Sequence, residues 1–279
     1  LLLFACAKSK PPPGRANLTK RKKRSPPAGR QIKERSGAQR RSKGGPMSDI
    51  SLCYTKQGGG PPLILLHGNG QDGNYFTHQM EYFSPRYTVY AVDTRGHGRS
   101  PRGEAPFTIT QFAQDLSDFM NEHDILRAPI LGFSDGGNIA LTFALAHPGR
   151  VSRLILNGAN LDPSGVKARV QIPIVLGYKF ASLFAGKSEK ARAHAEMLGL
   201  MVNEPHIDPQ ALQSLRTRTL VIVGTKDMIK DEHTLLIAHS LPRGRLEVIA
   251  GDHFIAAKNP RAFNEAVDQF LSEGRDLLL

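Results

Sequence analysis

The chain has 279 residues, 40% of them apolar, and a formal charge of +12, so one large domain can bury a sizeable core. The charge sits in one segment: residues 1–46 hold 14 Lys and Arg against one acid, Glu34, leaving 23 basic and 24 acidic residues for the rest. That near-neutral balance offers no net-charge argument for polyanion binding by the remainder, two cysteines (Cys6 and Cys53) exclude a disulfide framework, and no run reaches the roughly 18 apolar residues that cross a bilayer.

Residues 1–46 are rich in Pro, Gly, Ser, Lys and Arg. Such a segment cannot bury enough surface to offset its chain entropy and is expected to be disordered. It reads first as an upstream segment foreign to the native protein, because Met47 directly precedes an ordinary domain start. Two alternatives stand beside that: a truncated export or lipoprotein signal ending in Leu3-Phe4-Ala5-Cys6, and a basic arm around Lys20-Arg21-Lys22-Lys23-Arg24 for nucleic acid or anionic lipid.

From Met47 onward, short β-branched runs alternate with longer amphipathic stretches, the pattern of a mostly parallel sheet covered by helices. In chain order the expected elements are strands at Ser51–Lys56 and Leu63–His67, a helix at Asn74–Phe83, a strand at Thr88–Val92 and a helix at Ile109–His123. A strand at Pro129–Gly132, a helix at Gly136–Ala146 and a strand at Arg153–Asn157 follow. After the segment Leu161–Arg216 come strands at Thr219–Val223 and Leu246–Ile249 around a helix at Thr234–Ser240, and a last helix at Arg261–Ser272. Leu63–Leu66 and Leu220–Val223 are apolar throughout, as strands buried on both faces should be. Leu161–Arg216 breaks the alternation and reads as a few helices inserted between two strands; its apolar residues include Ile172, Leu176, Phe180, Leu183, Met197 and Leu200.

Gly132-Phe133-Ser134-Asp135-Gly136 matches G-x-S-x-G between an expected strand and an expected helix. That is the setting of a nucleophile elbow, where glycines let the backbone pass close to a sharply turned serine. His67-Gly68-Asn69-Gly70 follows another buried strand and can aim a backbone N–H at a developing oxyanion. Asn69 is the first choice and Gly70 the fallback, with the N–H of Asp135 as the second donor. His67 itself reads as a turn-packing residue. Asp227 follows the strand at Thr219–Val223, and His253 follows the strand at Leu246–Ile249. Serine needs a base to take its proton, and the base needs a carboxylate to fix its tautomer. The expected set is therefore Ser134, Asp227 and His253, with Asp162 the runner-up acid and Asp252 a structural neighbour of His253.

Together these motifs resemble the α/β-hydrolase superfamily over Ser51–Ser272, and Asp93-Thr94-Arg95-Gly96-His97-Gly98-Arg99-Ser100 resembles a structural D-x-R-G-x-G-x-S segment of its capped members. The Ser134-Asp135-Gly136-Gly137 elbow is similar to that of small esterases and valacyclovir-hydrolase-like members. The resemblance implies residues 47–279 as one α/β domain, an eight-stranded, mostly parallel sheet with a short helical cap at 161–216. It implies a serine hydrolase that cleaves a small carboxylic ester through an acyl-enzyme, with the apolar residues of the cap forming a modest acyl or alcohol pocket. Hydrolysis of C–C bonds, amides or amino-acid esters by the same triad is the alternative, with Glu189, Glu196 or Glu204 available for a substrate ammonium. A non-catalytic binding protein is the third reading. No cofactor or metal, no membrane span and no nucleic-acid partner for the folded domain are expected, and the partner is a small ester-like molecule. Two cysteines and the absence of a long apolar run fit a cytoplasmic protein, or an exported or lipid-anchored one if residues 1–6 are a truncated signal.

Overall fold

The computed structural model describes residues Ser48–Glu273, and the expectations for residues 1–46 lie outside them. Strands β1 (Tyr54–Gln57), β2 (Pro62–Leu66), β3 (Thr88–Val92), β4 (Ala128–Phe133), β5 (Val151–Asn157), β6 (Thr219–Lys226) and β7 (Gly244–Asp252) form one sheet in the order β1-β3-β2-β4-β5-β6-β7. Only β1 runs antiparallel to its neighbour. The helices are α1 (Thr77–Phe83), α2 (Ile109–Glu122), α3 (Asp135–Ala146), α4 (Ala168–Ser182), α5 (Glu189–Asn203), α6 (Asp231–Ser240), α7 (Ile255–Lys258) and α8 (Pro260–Ser272).

The apolar runs are explained by two cores, one on each sheet face. Along β2, Ile64 and Leu66 face the core shared with α2, α3 and α6, while Leu63 and Leu65 face the core shared with α1, α7 and α8. Leu154 and Leu156 of β5 go to the first core and Ile155 to the second. With both faces covered, a polar residue at one of these apolar positions would lose a packing contact worth about 1.5–3 kcal/mol. Helix α8 shows the complementary pattern: Phe263, Val267, Phe270 and Leu271 recur on one buried stripe, and Pro260 opens the helix where its missing N–H costs nothing.

The sheet has seven strands among the described residues, not the eight implied by the resemblance. On the β1 edge, the chain ahead of the first strand is taken up elsewhere. Ser48 donates its backbone N–H to Asp118 and its hydroxyl to Asp115, both on α2. Asp49 meanwhile pairs with Arg95 at 2.6 Å. The second difference is at β6 and β7, which run on to Lys226 and Asp252, three residues beyond the ends expected from hydropathy. Their pairing continues past the core, through a register shift after Gly224, to the pair Lys226–Asp252.

Arg95 anchors the loop after β3. Its side chain is fully buried and makes a two-point bridge to Asp115, with both N–O distances 2.7 Å. It also bonds Asp49 and the carbonyl of Arg102. Ser100 accepts from the N–H of Cys53 and donates to the carbonyl of Asp93, each at 2.7 Å, so the segment ties the end of β3 to the entry of β1. Removing one partner of such a buried pair strands the other charge out of water. Arg95→Ala is expected to cost about 3–5 kcal/mol in urea unfolding, and a loss under 1 kcal/mol would contradict this role.

Candidate functional site

Ser134 stands between β4 and α3 with φ 54° and ψ −121°, in the left-handed half of backbone space where a non-glycine residue is strained. The turn is possible because its glycines remove the obstacles. A Cβ on Gly132 would lie 2.2 Å from the carbonyl oxygen of Gly136, and one on Gly136 would lie 2.1 Å from that of Leu66. The strain is held by backbone bonds: Ser134 N–H donates to Asn157 at 2.8 Å, and its carbonyl accepts from Gly137 and Asn138. The Ser134 side chain makes no capping hydrogen bond to α3, so its hydroxyl is not committed to the helix.

Asp227 and His253 are the residues immediately after the paired Lys226 and Asp252, and the sheet register sets them side by side. His253 Nδ1 lies 2.7 Å from Asp227 Oδ1, and both side chains are buried. Asp227 also accepts from the N–H of Ile229 at 2.9 Å. Burial works against the charged carboxylate, but the hydrogen bond from His253, that ring's charge and the backbone N–H donors outweigh it. The carboxyl is held below its ordinary range. His253 Nε2 is buried and has no hydrogen-bond partner, the Ser134 hydroxyl included. The ring lies 4.8 Å from that of Phe133 and rests on Gly158, where φ is +63° and an added Cβ would meet His253 Cε1 at 2.6 Å. Gly158 directly follows Asn157, the residue that holds the Ser134 backbone, so serine and imidazole flank the same strand end.

The other expected residues fall as follows. The N–H of Asp135 opens α3, where a helix leaves its donors unpaired, and Asn69 sits in the turn after β2. Neither N–H enters the turn and loop hydrogen bonds of the described residues. His67 Nε2 accepts from the N–H of Thr94 at 3.0 Å and its Nδ1 lies 2.8 Å from the Gly68 carbonyl, so it packs the turn as a neutral ring; burial lowers its pKa. Asp162 caps the turn Pro163–Gly165 by accepting from Ser164, and Asp252 accepts from Phe254 and bonds Lys258. Glu196 is paired with Arg102, and Glu204 accepts from the N–H of Ile109. Of the apolar residues expected to form a pocket, Ile172, Leu176, Phe180 and Leu183 are exposed. A cleft of about 310 Å³ does lie between α4 and α5, lined by Phe107, Tyr178, Glu196, Leu200 and Glu204, but not by Ser134 or His253.

Sequence reasoning missed the polar layer under the elbow. Asn138 Nδ2 donates to Asp135 Oδ1 and to Asn160 Oδ1, and Asn160 N–H returns a bond to Asn138. Asp135 Oδ2 is buried without a partner. Burial pushes the Asp135 carboxyl up to about 6, although the nearby Asn69 amide and His253 pull the other way. The sequence signal was weak: only the spacing of Asn138 one turn after Asp135 marks the pair.

The family model for the α/β-hydrolase fold matches residues 61–193, a span that holds Ser134 and Asn69 and ends ahead of Asp227 and His253. 3-Oxoadipate enol-lactonase 2 of Acinetobacter baylyi is 26% identical over 253 residues, covering 79% of this chain and 92% of the relative. The solved enol-lactonase of Burkholderia xenovorans has a TM-score of 0.68 at 20% identity, covering 82% of this chain and 100% of that one. A meta-cleavage product hydrolase of Pseudomonas fluorescens has a TM-score of 0.67 at 24% identity, covering 81% and 96%.

The raised Asp135 pKa has a stability consequence. The unfolded carboxyl ionises near 4 and the folded one near 6, so folding loses stability as pH rises between them and is level above. Asp135→Asn keeps no such dependence. Relative to wild type it should gain about 2 kcal/mol between pH 4 and pH 7 in urea unfolding, whereas parallel stability curves would contradict the assignment.

Proposed function

The chain is an α/β-hydrolase-fold protein, and from that premise we propose that it is a serine hydrolase cleaving a small carboxylic ester through an acyl-enzyme. The observation that carries this reading is the bonded Asp227–His253 pair beside a strained Ser134, with the imidazole's second nitrogen buried and unpartnered. Nε2 is then the atom of the ring left to take the serine proton. The enol-lactonase relative is named for a cyclic ester, which agrees with an ester carbonyl as the reacting group.

In the proposed reaction Ser134 Oγ attacks the ester carbonyl carbon as its proton passes to His253 Nε2. The carbonyl oxygen becomes an oxyanion held by the N–H groups of Asn69 and Asp135, each donor worth about 3–4 kcal/mol in the transition state. Asp227 accepts the Nδ1 hydrogen bond, fixes the tautomer and stabilises the imidazolium without taking a proton. The tetrahedral intermediate expels the alkoxide, which leaves as the alcohol with the proton from Nε2. Water then attacks the acyl-enzyme with His253 again as base, releasing the acid and restoring Ser134.

A series of p-nitrophenyl esters of increasing acyl length tests the reading. Wild type should turn over the short members, Ser134→Ala should fall to the buffer rate, and Asp227→Asn should retain its fold with kcat down about 10⁴-fold. Undiminished turnover by Ser134→Ala, or none by wild type on any ester, would overturn it.

A further inference from the structure

We propose that the exposed face of α4 is a docking surface for an anionic lipid bilayer, an inference independent of the proposed reaction. Ile172, Leu176, Phe180 and Leu183 are 58%, 61%, 66% and 74% exposed. Their spacing of four, four and three residues sets them in one stripe along the helix. Leu126 and Val248 are exposed with no other large exposed apolar residue near them in sequence, and Leu235 and Leu236 form a pair on α6; scattered ones are ordinary on a protein surface. A continuous stripe is not, and marks an interaction site. The second helix of the hairpin does not cover it: α5 packs on the opposite side, where Gly199 faces Tyr178.

Charge identifies the occupant. From Pro163 to Ser188 the chain has no Asp or Glu. Arg169 is exposed at the start of the helix, Lys179 along its flank, and Lys187 just beyond its end. Lys167, also in this span, is already paired with Asp231. A helix with an apolar stripe framed by cations lies in the headgroup region of an anionic membrane, its apolar residues entering the acyl boundary. A second copy of this chain fits poorly, because two α4 helices packed antiparallel bring Arg169 of one toward Lys187 of the other with no acid on either face. A partner helix would need a groove, and the cleft beside α4 is lined by Tyr178 and Ser182, not by the stripe.

The 14 Lys and Arg of residues 1–46 add attraction of the same sign, so the decisive test removes the apolar stripe from the full chain. Co-sedimentation is measured with vesicles of phosphatidylcholine alone and of phosphatidylcholine mixed with phosphatidylserine. Wild type should partition to the mixed vesicles and much less to the neutral ones. The double variant Leu176→Ser/Phe180→Ser should lose roughly tenfold or more in partitioning, with its circular dichroism and thermal midpoint unchanged. If that variant does not fold, Lys179→Glu/Lys187→Glu carries the test and should weaken partitioning at low salt. Binding by a folded variant equal to wild type, or no vesicle binding by wild type, overturns the proposal. So does a wild-type dimer that the stripe variant dissociates without any vesicle binding, which would make the face a self-interface.

Discussion

Backbone segments crowd together where β4 turns into α3. Gly132, Gly136 and the carbonyl of Leu66 crowd into a space that no Cβ can share. The chain can pass there only by throwing Ser134 into a left-handed conformation, with its side chain beyond the strand end and the first N–H of α3 beside it. Strain of this kind costs on the order of 1–3 kcal/mol and survives only where the surroundings enforce it. Here two fully buried sheet faces and the Ser134–Asn157 bond enforce it. The proposed nucleophile and one proposed oxyanion donor are thus consequences of a single packing constraint.

The second half of the site comes from pairing, not packing. The register shift after Gly224 brings Lys226 opposite Asp252, and the next residue of each strand, Asp227 and His253, meet at hydrogen-bond distance. Gly158 supplies the surface on which the imidazole lies. The buried polar groups around this junction are unevenly compensated. Arg95 is paired with Asp115 and Asp49, whereas Asp227 and Asp135 each have one buried oxygen without a partner, and the Asp135 pKa is raised. Uncompensated groups of that sort concentrate at functional sites, where stability is given up locally.

Much of this was legible in the sequence because two-sided burial and elbow sterics both restrict residue type. The runs Leu63–Leu66 and Leu220–Val223 had to be apolar, and G-x-S-x-G had to lie between strand and helix. The bond between Asp227 and His253 was legible only as chain order and position after strands; the register that joins them is a tertiary property with no local signal. Nor does a local pattern distinguish a strand from a loop at Ser48–Cys53, since bonds to Asp115 and Asp118, some 70 residues away, decide it. The apolar content of α4 was read as lining a pocket, but hydropathy does not say which way a face points. Four of those side chains point outward.

The proposed reaction requires the Ser134 hydroxyl to be the reacting group, activated through His253. Peptide mapping by mass spectrometry after treatment with a fluorophosphonate tests it most directly. One adduct is expected, on the peptide containing Ser134, formed faster with the folded protein than with the urea-unfolded chain. An adduct on another residue, or none while the protein stays folded, would contradict it.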